Sequence, residues 1–361
     1  MAKRIGYCLT ARSPFHFGER GVGMEEASVL LHSDTLFSAL CLIWQQLGGN
    51  LDAFLNNFPR QRFEENKPVQ ILSGEPPLRI SSAFPFWSRQ ENKRLVESVF
   101  FFPKPYLRLR LHSRTDSLSQ AKALKRVQFV SQRIFEMLLA GQEVTFEASI
   151  QGGKIWLTPQ EKQKIEGEKI WVEETRPHVT VDRISSASQV YAVGQVRFQQ
   201  GSGLFFLVDY EDERWQPVLE KALRALGDSG IGGERSSGCG QFDLEIVENF
   251  TLHIPETADA FTSLSLYWPP EEEAKSGVLD GASYGLLMRR GWIGTPGGMN
   301  LRRRGVRMFS EGSVFPKQPM GALVDVKPLD PEEVPNVGHD VWRCGLGFSL
   351  PCRRVQEVND G

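Results

Sequence analysis

The chain has 361 residues, 40% of them hydrophobic and 24% charged, with a formal net charge of −2. That length can hold two domains that each bury a core, and the near-neutral balance leaves no global field to draw a polyanion, so any attraction for nucleic acid must be local. The five cysteines (Cys8, Cys41, Cys239, Cys344, Cys352) form no C-x-x-C pair, no apolar run reaches membrane-spanning length and the N-terminus has no signal-peptide pattern; a zinc site, a disulfide frame and a membrane span are excluded as readings, and a cytoplasmic protein is expected.

Ile5, Tyr7 and Leu9 alternate, which predicts a first strand over residues 4–11. A mixed, glycine-rich loop follows to residue 34. Ser33 or Asp34 is then expected to cap a helix whose apolar stripe is Leu36, Leu40, Ile43, Trp44 and Leu47, ended by Gly48-Gly49. The next region reads as long and irregular, with two proline-marked apolar segments, 80–87 and 99–105. Phe84 to Trp87 and Phe100 to Phe102 are too apolar for free surface and are expected in the core rather than at a subunit interface.

Residues 120–140 read as one amphipathic helix, and 142–172 as a strand pair around a Gly-Gly turn, with 162–168 an exposed turn. Two strands, 177–184 and 189–198, are expected to flank a small polar tip, before a hydrophobic strand over 204–208. Trp215, Val218, Leu219, Ala222, Leu223 and Leu226 recur at helical spacing, with Gly227 as the stop, and Phe242, Leu244 and Ile246 alternate as a strand. From residue 263 a further set of strands is expected with no strong helix.

Residues 1–249 thus run strand, helix, strands, helix, strand. That order fits a ferredoxin-like βαββαβ unit carrying a large insertion. The C-terminal part, 250–361, reads as a second, β-rich and degenerate copy. The fold class expected is α+β, with tandem ferredoxin-like (RNA-recognition-motif-like) domains.

Between the second helix and its strand lies SGIGGERSSGCGQF (229–242), with five glycines from Gly230 to Gly240. A dinucleotide fingerprint or P-loop runs from strand to helix, the opposite direction, and neither spacing is present. What the segment offers is a run of backbone N–H groups with Arg235, Ser236 and Ser237, a chemistry suited to a sugar-phosphate backbone. The plainer reading is a tight connector needing positive φ. Elsewhere, 104–133 holds eight basic residues against Asp116, and 281–310 holds six arginines and no acid. Each is either a solvated face or a surface for an anionic partner.

Three stretches taken together resemble one family: SPFHFG followed by LHSDTLFSAL (13–40), RPHVTVDR (176–183) and GIGGERSSGCGQF (230–242). They are similar to the RAMP proteins of CRISPR systems. RRGWI, MFSEGSVF (308–315) and the closing GLGFSLP narrow the resemblance to the type III-A (Csm) effector-complex subunit that caps the crRNA 5′ end. The resemblance implies a non-catalytic, RNA-binding structural subunit in antiviral defence. It would hold the repeat-derived 5′ tag of the crRNA and bridge the large palm-domain subunit to the backbone RAMP filament. No cofactor and no metal are implied. Nor is Asp34 the RNA-cutting aspartate of the backbone subunit; in the first helical turn it complements the helix dipole.

On that resemblance the candidate RNA contacts are His16, Phe17, Gly18, Ser33, Thr35, Arg176, His178, Arg183, Gly230, Gly232, Gly233, Arg235, Ser236, Ser237 and Gly238. Ser33 and Thr35 serve as caps, as backbone contacts, or both. His16 is a plain loop residue, a stacking platform or the base of a metal-independent RNase; no second acid–base partner is visible for the last role. Arg176, His178 and Arg183 sit on a hairpin comparable to the RAMP thumb, unless Asp182 and Arg183 merely pair to shape its turn. Arg302, Arg303 and Arg304 face RNA or an acidic partner. Two other functions remain open: a metal-independent crRNA-processing endoribonuclease of RAMP type, and a protein adaptor with no RNA contact.

Overall fold

The computed structural model describes residues 3–18, 25–64, 67–91, 94–111, 117–165, 167–182, 184, 186–293, 301–328, 337 and 339–355. Its largest sheet is built around Lys3–Ala11. That strand pairs antiparallel with Gly203–Tyr210 on one side and Phe242–Glu248 on the other. From the edge inward, the order is Phe242–Glu248, Lys3–Ala11, Gly203–Tyr210, Phe84–Glu91, Arg94–Pro103, Phe129–Ser131, Ile155–Leu157 and Ala148–Ile150, with Leu78–Ile80 also pairing onto Gly203–Tyr210.

The central strand is buried on both faces. Tyr7, on one face, shares a 2.7 Å hydroxyl contact with Tyr210 and reaches toward Glu220 of the helix Trp215–Ser229. Gly6, on the other, lies under the ring of Phe250, which joins Phe100, Phe102 and Phe205 in one aromatic cluster. The helix Ser33–Gln46 packs beside Trp215–Ser229. Leu36, Phe37, Leu40 and Ile43 form the inward stripe of the first; Leu219, Ala222, Leu223 and Leu226 form that of the second. Leu47, expected in that stripe, is 40% exposed, because the helix has ended.

Several expectations change. The helix expected over 120–140 is two helices, Ser117–Arg126 and Gln132–Leu139, split by the strand Phe129–Ser131. Phe129 and Val130 are buried between Arg94–Pro103 and Ile155–Leu157, and this sheet pairing overrides local helical spacing. Gly227 does not stop its helix. A Cβ there would come within 2.7 Å of the Phe242 carbonyl, so glycine lets helix and strand approach closely; the stop falls at Gly230, with φ 81°. Part of the turn expected at 162–168 is helical, Pro159–Lys164, opened by a capping box between Thr158 and Glu161. The irregular region after residue 50 contains the short helix Leu51–Leu55 and the strands Arg60–Glu64 and Lys67–Leu72. Phe84, Phe86, Trp87, Phe101 and Phe102 are buried, and Phe100 packs against them.

Among the described residues beyond 250, the longest helical piece is a turn at Glu271–Glu273 running on to Val278. Short strands make up the rest. Ala260–Ser263 lies between Val314–Phe315 and Ser349–Cys352, and Leu286–Arg289 pairs with Val306–Phe309. The strand expected from residue 263 ends there instead. The hairpin Arg60–Glu64 and Lys67–Leu72 does not join the large sheet. Arg60–Glu64 pairs in parallel with Leu323–Asp325, which carries Trp342–Cys344 on its other side. A segment early in the chain therefore completes a C-terminal sheet.

Candidate nucleic-acid interface

A groove of about 1290 Å³ runs along the outer side of the helix Ser33–Gln46. Its lining takes in the segment at 16–18, part of the glycine-rich connector, Arg289, Arg303 and Trp342, and the carboxylates Asp52 and Asp340. Of the residues singled out in the sequence, the fold brings His16, Phe17, Gly18, Thr35, Gly230, Gly232, Gly233 and Arg235 to this groove.

The connector is held by its own amides. Gly230 donates to Leu226, Gly233 to the His16 carbonyl at 2.9 Å, Gly238 to Arg235 and Gly240 to the Pro14 carbonyl at 2.8 Å. The expectation of a row of bare N–H groups is therefore corrected: of the five glycine amides, only that of Gly232 donates to no described residue. Gly232 has φ 96°, and a Cβ on it would lie 2.6 Å from the His16 carbonyl oxygen and 2.9 Å from the Phe17 ring. What the connector shows to solvent is Arg235, Ser236, Ser237 and Gly238, all exposed. Ser237 Oγ donates to Glu234, whereas Arg235 has no ion pair with a described residue.

Phe15, His16 and Phe17 are buried rather than loosely looped. The Phe17 ring stacks on Phe15 at 5.3 Å and is not free to receive a base. His16 Nδ1 lies 2.6 Å from the Gly194 carbonyl oxygen, so Nδ1 carries the proton donated there and Nε2 is left on the Gly233 side. Gly18 is exposed at the rim.

At the helix start the expected cap is not made. His32 is the N-cap residue, with no side-chain cap hydrogen bond. Ser33 is buried, its hydroxyl accepting from the Leu266 amide at 3.0 Å, and it is not presented to a ligand. Asp34 does more than face the helix dipole. Fully buried, it accepts from Arg289 at 2.9 and 3.0 Å and also from Arg343. Burial alone would raise its pKa, but the two guanidinium groups outweigh that and hold it well below the usual carboxylate range. Thr35 Oγ1 donates to Asp34 and accepts from Arg289 at 3.0 Å. Beside it, His32 Nδ1 lies 2.7 Å from Glu311, which also accepts from the Ser82 hydroxyl.

The hairpin Trp171–Val181 and Ser188–Phe198 is paired along its whole length. Its root is tied to the groove wall through reciprocal 2.8 Å bonds between Phe15 and Val196. Arg176 and His178 lie farther out and do not line the groove. Arg176 pairs with Glu174 at 3.0 Å, and Glu174 also pairs with Arg197. The His178 ring sits 5.5 Å from that of Tyr191. Val179, Val181, Val190 and Ile184 are exposed toward the tip. Arg183 lies outside the described residues.

The three neighbouring arginines separate. Arg302 lies over the Trp292 ring at 4.9 Å; Arg304 lies over Phe63 at 3.8 Å and donates to the Asp325 carbonyl. Arg303 alone of the three reaches the groove. Sequence reasoning gave no site role to Arg289 and Trp342, which line the groove, or to Arg343 and Glu311, which bond to Asp34 and His32. The acid-free stretch 281–310 was a signal for the first, but nothing local tied it to Asp34, 255 residues away. Among the described residues no group of three His, Cys, Asp or Glu side chains is placed to hold a metal ion, and no helix is long and apolar enough to cross a membrane.

Comparison with known proteins bears on the family and the fold. Residues 256–352 match the CRISPR Csm4 C-terminal domain, and residues 144–258 match the family described as CRISPR-associated protein (Cas_Cmr3). The CRISPR system Cms protein Csm4 of Mycobacterium tuberculosis (strain CDC 1551 / Oshkosh) is 28% identical over 320 residues, covering 86% of this chain and 88% of the relative. The protein of that name from Streptococcus thermophilus is 26% identical over 330 residues, covering 90% and 92%. Among solved structures, a Csm3-Csm4 subcomplex of the type III-A CRISPR-Cas interference complex contains a chain similar in fold, with a TM-score of 0.58 at 19% identity, covering 97% of this chain and 99% of that one. A Csm1-Csm4 cassette in complex with cA4 gives 0.55 at 19% identity, covering 98% and 100%. The shared fold is mixed α/β, dominated by sheets with few helices.

Proposed function

Because the chain belongs to the RAMP-type Csm subunits of type III CRISPR complexes, we propose that it is a non-catalytic subunit that anchors the 5′ repeat-derived tag of a crRNA. The observation that carries this reading is the groove itself. Segments near residues 16, 35 and 232 converge there with Arg235, Arg289 and Arg303, which share the lining with the carboxylates Asp52 and Asp340; Arg235 and Arg303 have no ion pair with a described residue and give local positive sites in a protein of net charge −2. Arg235, exposed and with no ion pair to a described residue, is suited to a phosphate. The hairpin rooted on the same wall offers Arg176, His178 and Tyr191 on one side, groups that bond phosphates and stack on bases.

The partners in this reading are crRNA, the large palm-domain subunit and the backbone RAMP subunit. Solved relatives of this fold are seen with Csm3 and with Csm1. The fold reading is part of the proposal: an RNA-recognition-motif-like unit over 1–249 and a degenerate second one over 250–361. Its support is the antiparallel order Phe242–Glu248, Lys3–Ala11, Gly203–Tyr210, Phe84–Glu91, with one long helix after the first strand and another after the third. A cytoplasmic location fits such an assembly. Against a role as an RNase stands His16, buried on the Gly194 carbonyl with no hydrogen bond to a described carboxylate or second imidazole.

The test is reconstitution with the other subunits and crRNA, followed by photo-crosslinking and peptide mapping. Crosslinks to peptides spanning 12–18, 171–198 and 229–242 are expected. Crosslinks confined to other peptides, or specific cleavage of repeat RNA by this subunit that is lost in His16→Ala, would overturn the reading.

A further inference from the structure

Three arginines surround one carboxylate at the start of the helix Ser33–Gln46. Arg289 and Arg343 both donate to Asp34. Arg303 is the third: its electrostatic neighbours are Arg343 and Asp34, and a Cβ on Gly291 would lie 3.9 Å from its Cδ and 3.8 Å from Arg343 Nη2. Three positive charges against one negative leave an excess of two in a partly buried setting. Of the other acids, Asp340 is engaged with Arg62 and Lys327, and Glu311 with His32 and Ser82, while Asp52 lines the same groove.

Arg303 has no ion pair with any described residue, and its buried Nε has no hydrogen-bond partner. Burial and the adjacent Arg343 both push its pKa below the usual arginine value, so its environment disfavours the charge it carries. Leaving a buried guanidinium donor unmatched costs stability. Yet the side chain lines the groove, as do Arg289 and Thr35. A guanidinium at the wall of an open groove, with donors that no described residue takes up, is suited to an anionic group.

We propose that Arg303, with Arg289, forms an anion subsite in this groove that takes a single phosphate group; the Thr35 hydroxyl, donating to Asp34 and accepting from Arg289, helps fix Arg289 in place. The inference rests on the RNA reading above for the source of that phosphate, a phosphodiester of a single strand. The chemistry of the subsite itself does not depend on it. Arg289 stays bound to Asp34 and is thereby fixed in direction, while Arg303 supplies the uncommitted donors. Asp34 acts here as a positioning residue and does not touch the phosphate.

Two measurements on the full chain separate the subsite from its source. In the first, thermal unfolding of wild type, Arg303→Gln and the exposed control Arg224→Gln is followed with and without inorganic pyrophosphate. Wild type and the control should gain melting temperature with pyrophosphate, and Arg303→Gln should not. Without the ligand, Arg303→Gln should melt higher than wild type, because a like-charge neighbour of Arg343 has been removed. A ligand shift undiminished in Arg303→Gln, or a ligand-free melting point below wild type, would overturn the proposal. In the second, single-stranded RNA binding is measured against salt. Loss of one phosphate contact should flatten the log–log slope by about 0.7. An unchanged slope in Arg303→Gln overturns the phosphodiester source. A flat slope in wild type alongside an intact pyrophosphate shift removes the RNA reading and keeps the subsite for a free phosphate compound.

Discussion

Asp34 and Arg289, 255 residues apart, meet in a buried two-point contact of 2.9 and 3.0 Å. The contact joins the first helix to the C-terminal strands, and Arg343 completes it from a second strand. Removing one partner of a buried ion pair typically costs about 3–5 kcal/mol, since the other charges remain uncompensated. Asp34→Ala should therefore lower the unfolding free energy by about that amount in urea titration. A loss within the error of the extrapolation would mean that the cluster is solvated or dispensable.

The same cluster sets the response to acid. Asp34 and Glu311 are both buried, which alone would raise their pKa values. Arg289 and Arg343 for the first, and His32 and Ser82 for the second, win and hold both below the ordinary range. The folded state then binds fewer protons than the unfolded chain around the ordinary carboxylate pKa of ~4. Their contribution is fully present above that pH and is lost as pH falls through it toward the depressed folded values. Melting temperature should fall on acidification below pH ~4, with a shallower decline in Glu311→Gln. Equal slopes for the variant and wild type would remove Glu311 from this account.

Gly232 tests the docking of the connector. Its φ of 96° and the nearby His16 carbonyl leave no room for a side chain. Gly232→Ala should destabilise by at least about 1–3 kcal/mol, the usual range for such backbone strain. Amide exchange at residues 16–18 and 233 should speed up together, because the Gly233–His16 bond is adjacent. Faster exchange at only one of the two segments would mean that they are not docked as a unit.

The two large helices, the central strand and the strand closing the sheet were legible because each carries at least three apolar residues at the period of its element, as in Trp215–Ser229. The strand Phe129–Ser131 was not, because three residues have no period and their partners lie elsewhere in the chain. At the site, Gly230 to Arg235 stood out by composition. Arg303 was visible only as one of three arginines in a row, and burial alone distinguishes it from Arg302. The direction of the Ser33 hydroxyl, toward the Leu266 amide, depends on a tertiary contact that no local rule contains.

The cysteines give a simple chemical readout. Cys8, Cys239, Cys344 and Cys352 are buried, and burial raises the pKa of each of the five thiols, that of Cys344 and that of Cys352 to about 12. Thiolate is the reactive form. Ellman's reagent should label the native protein slowly at neutral pH and all five thiols after denaturation. Rapid native labelling of more than one thiol would contradict the packing around these side chains.

The strand Arg60–Glu64 pairs with Leu323–Asp325 on one side and with Lys67–Leu72 on the other. A gene divided near codon 250 would give an N-terminal product with this ribbon unsheltered and a C-terminal product with a raw strand margin. Both are the kind of unpaired edge that drives self-association. Fragments made separately should therefore clump, while fragments translated side by side have a route to complementation through that one parallel seam.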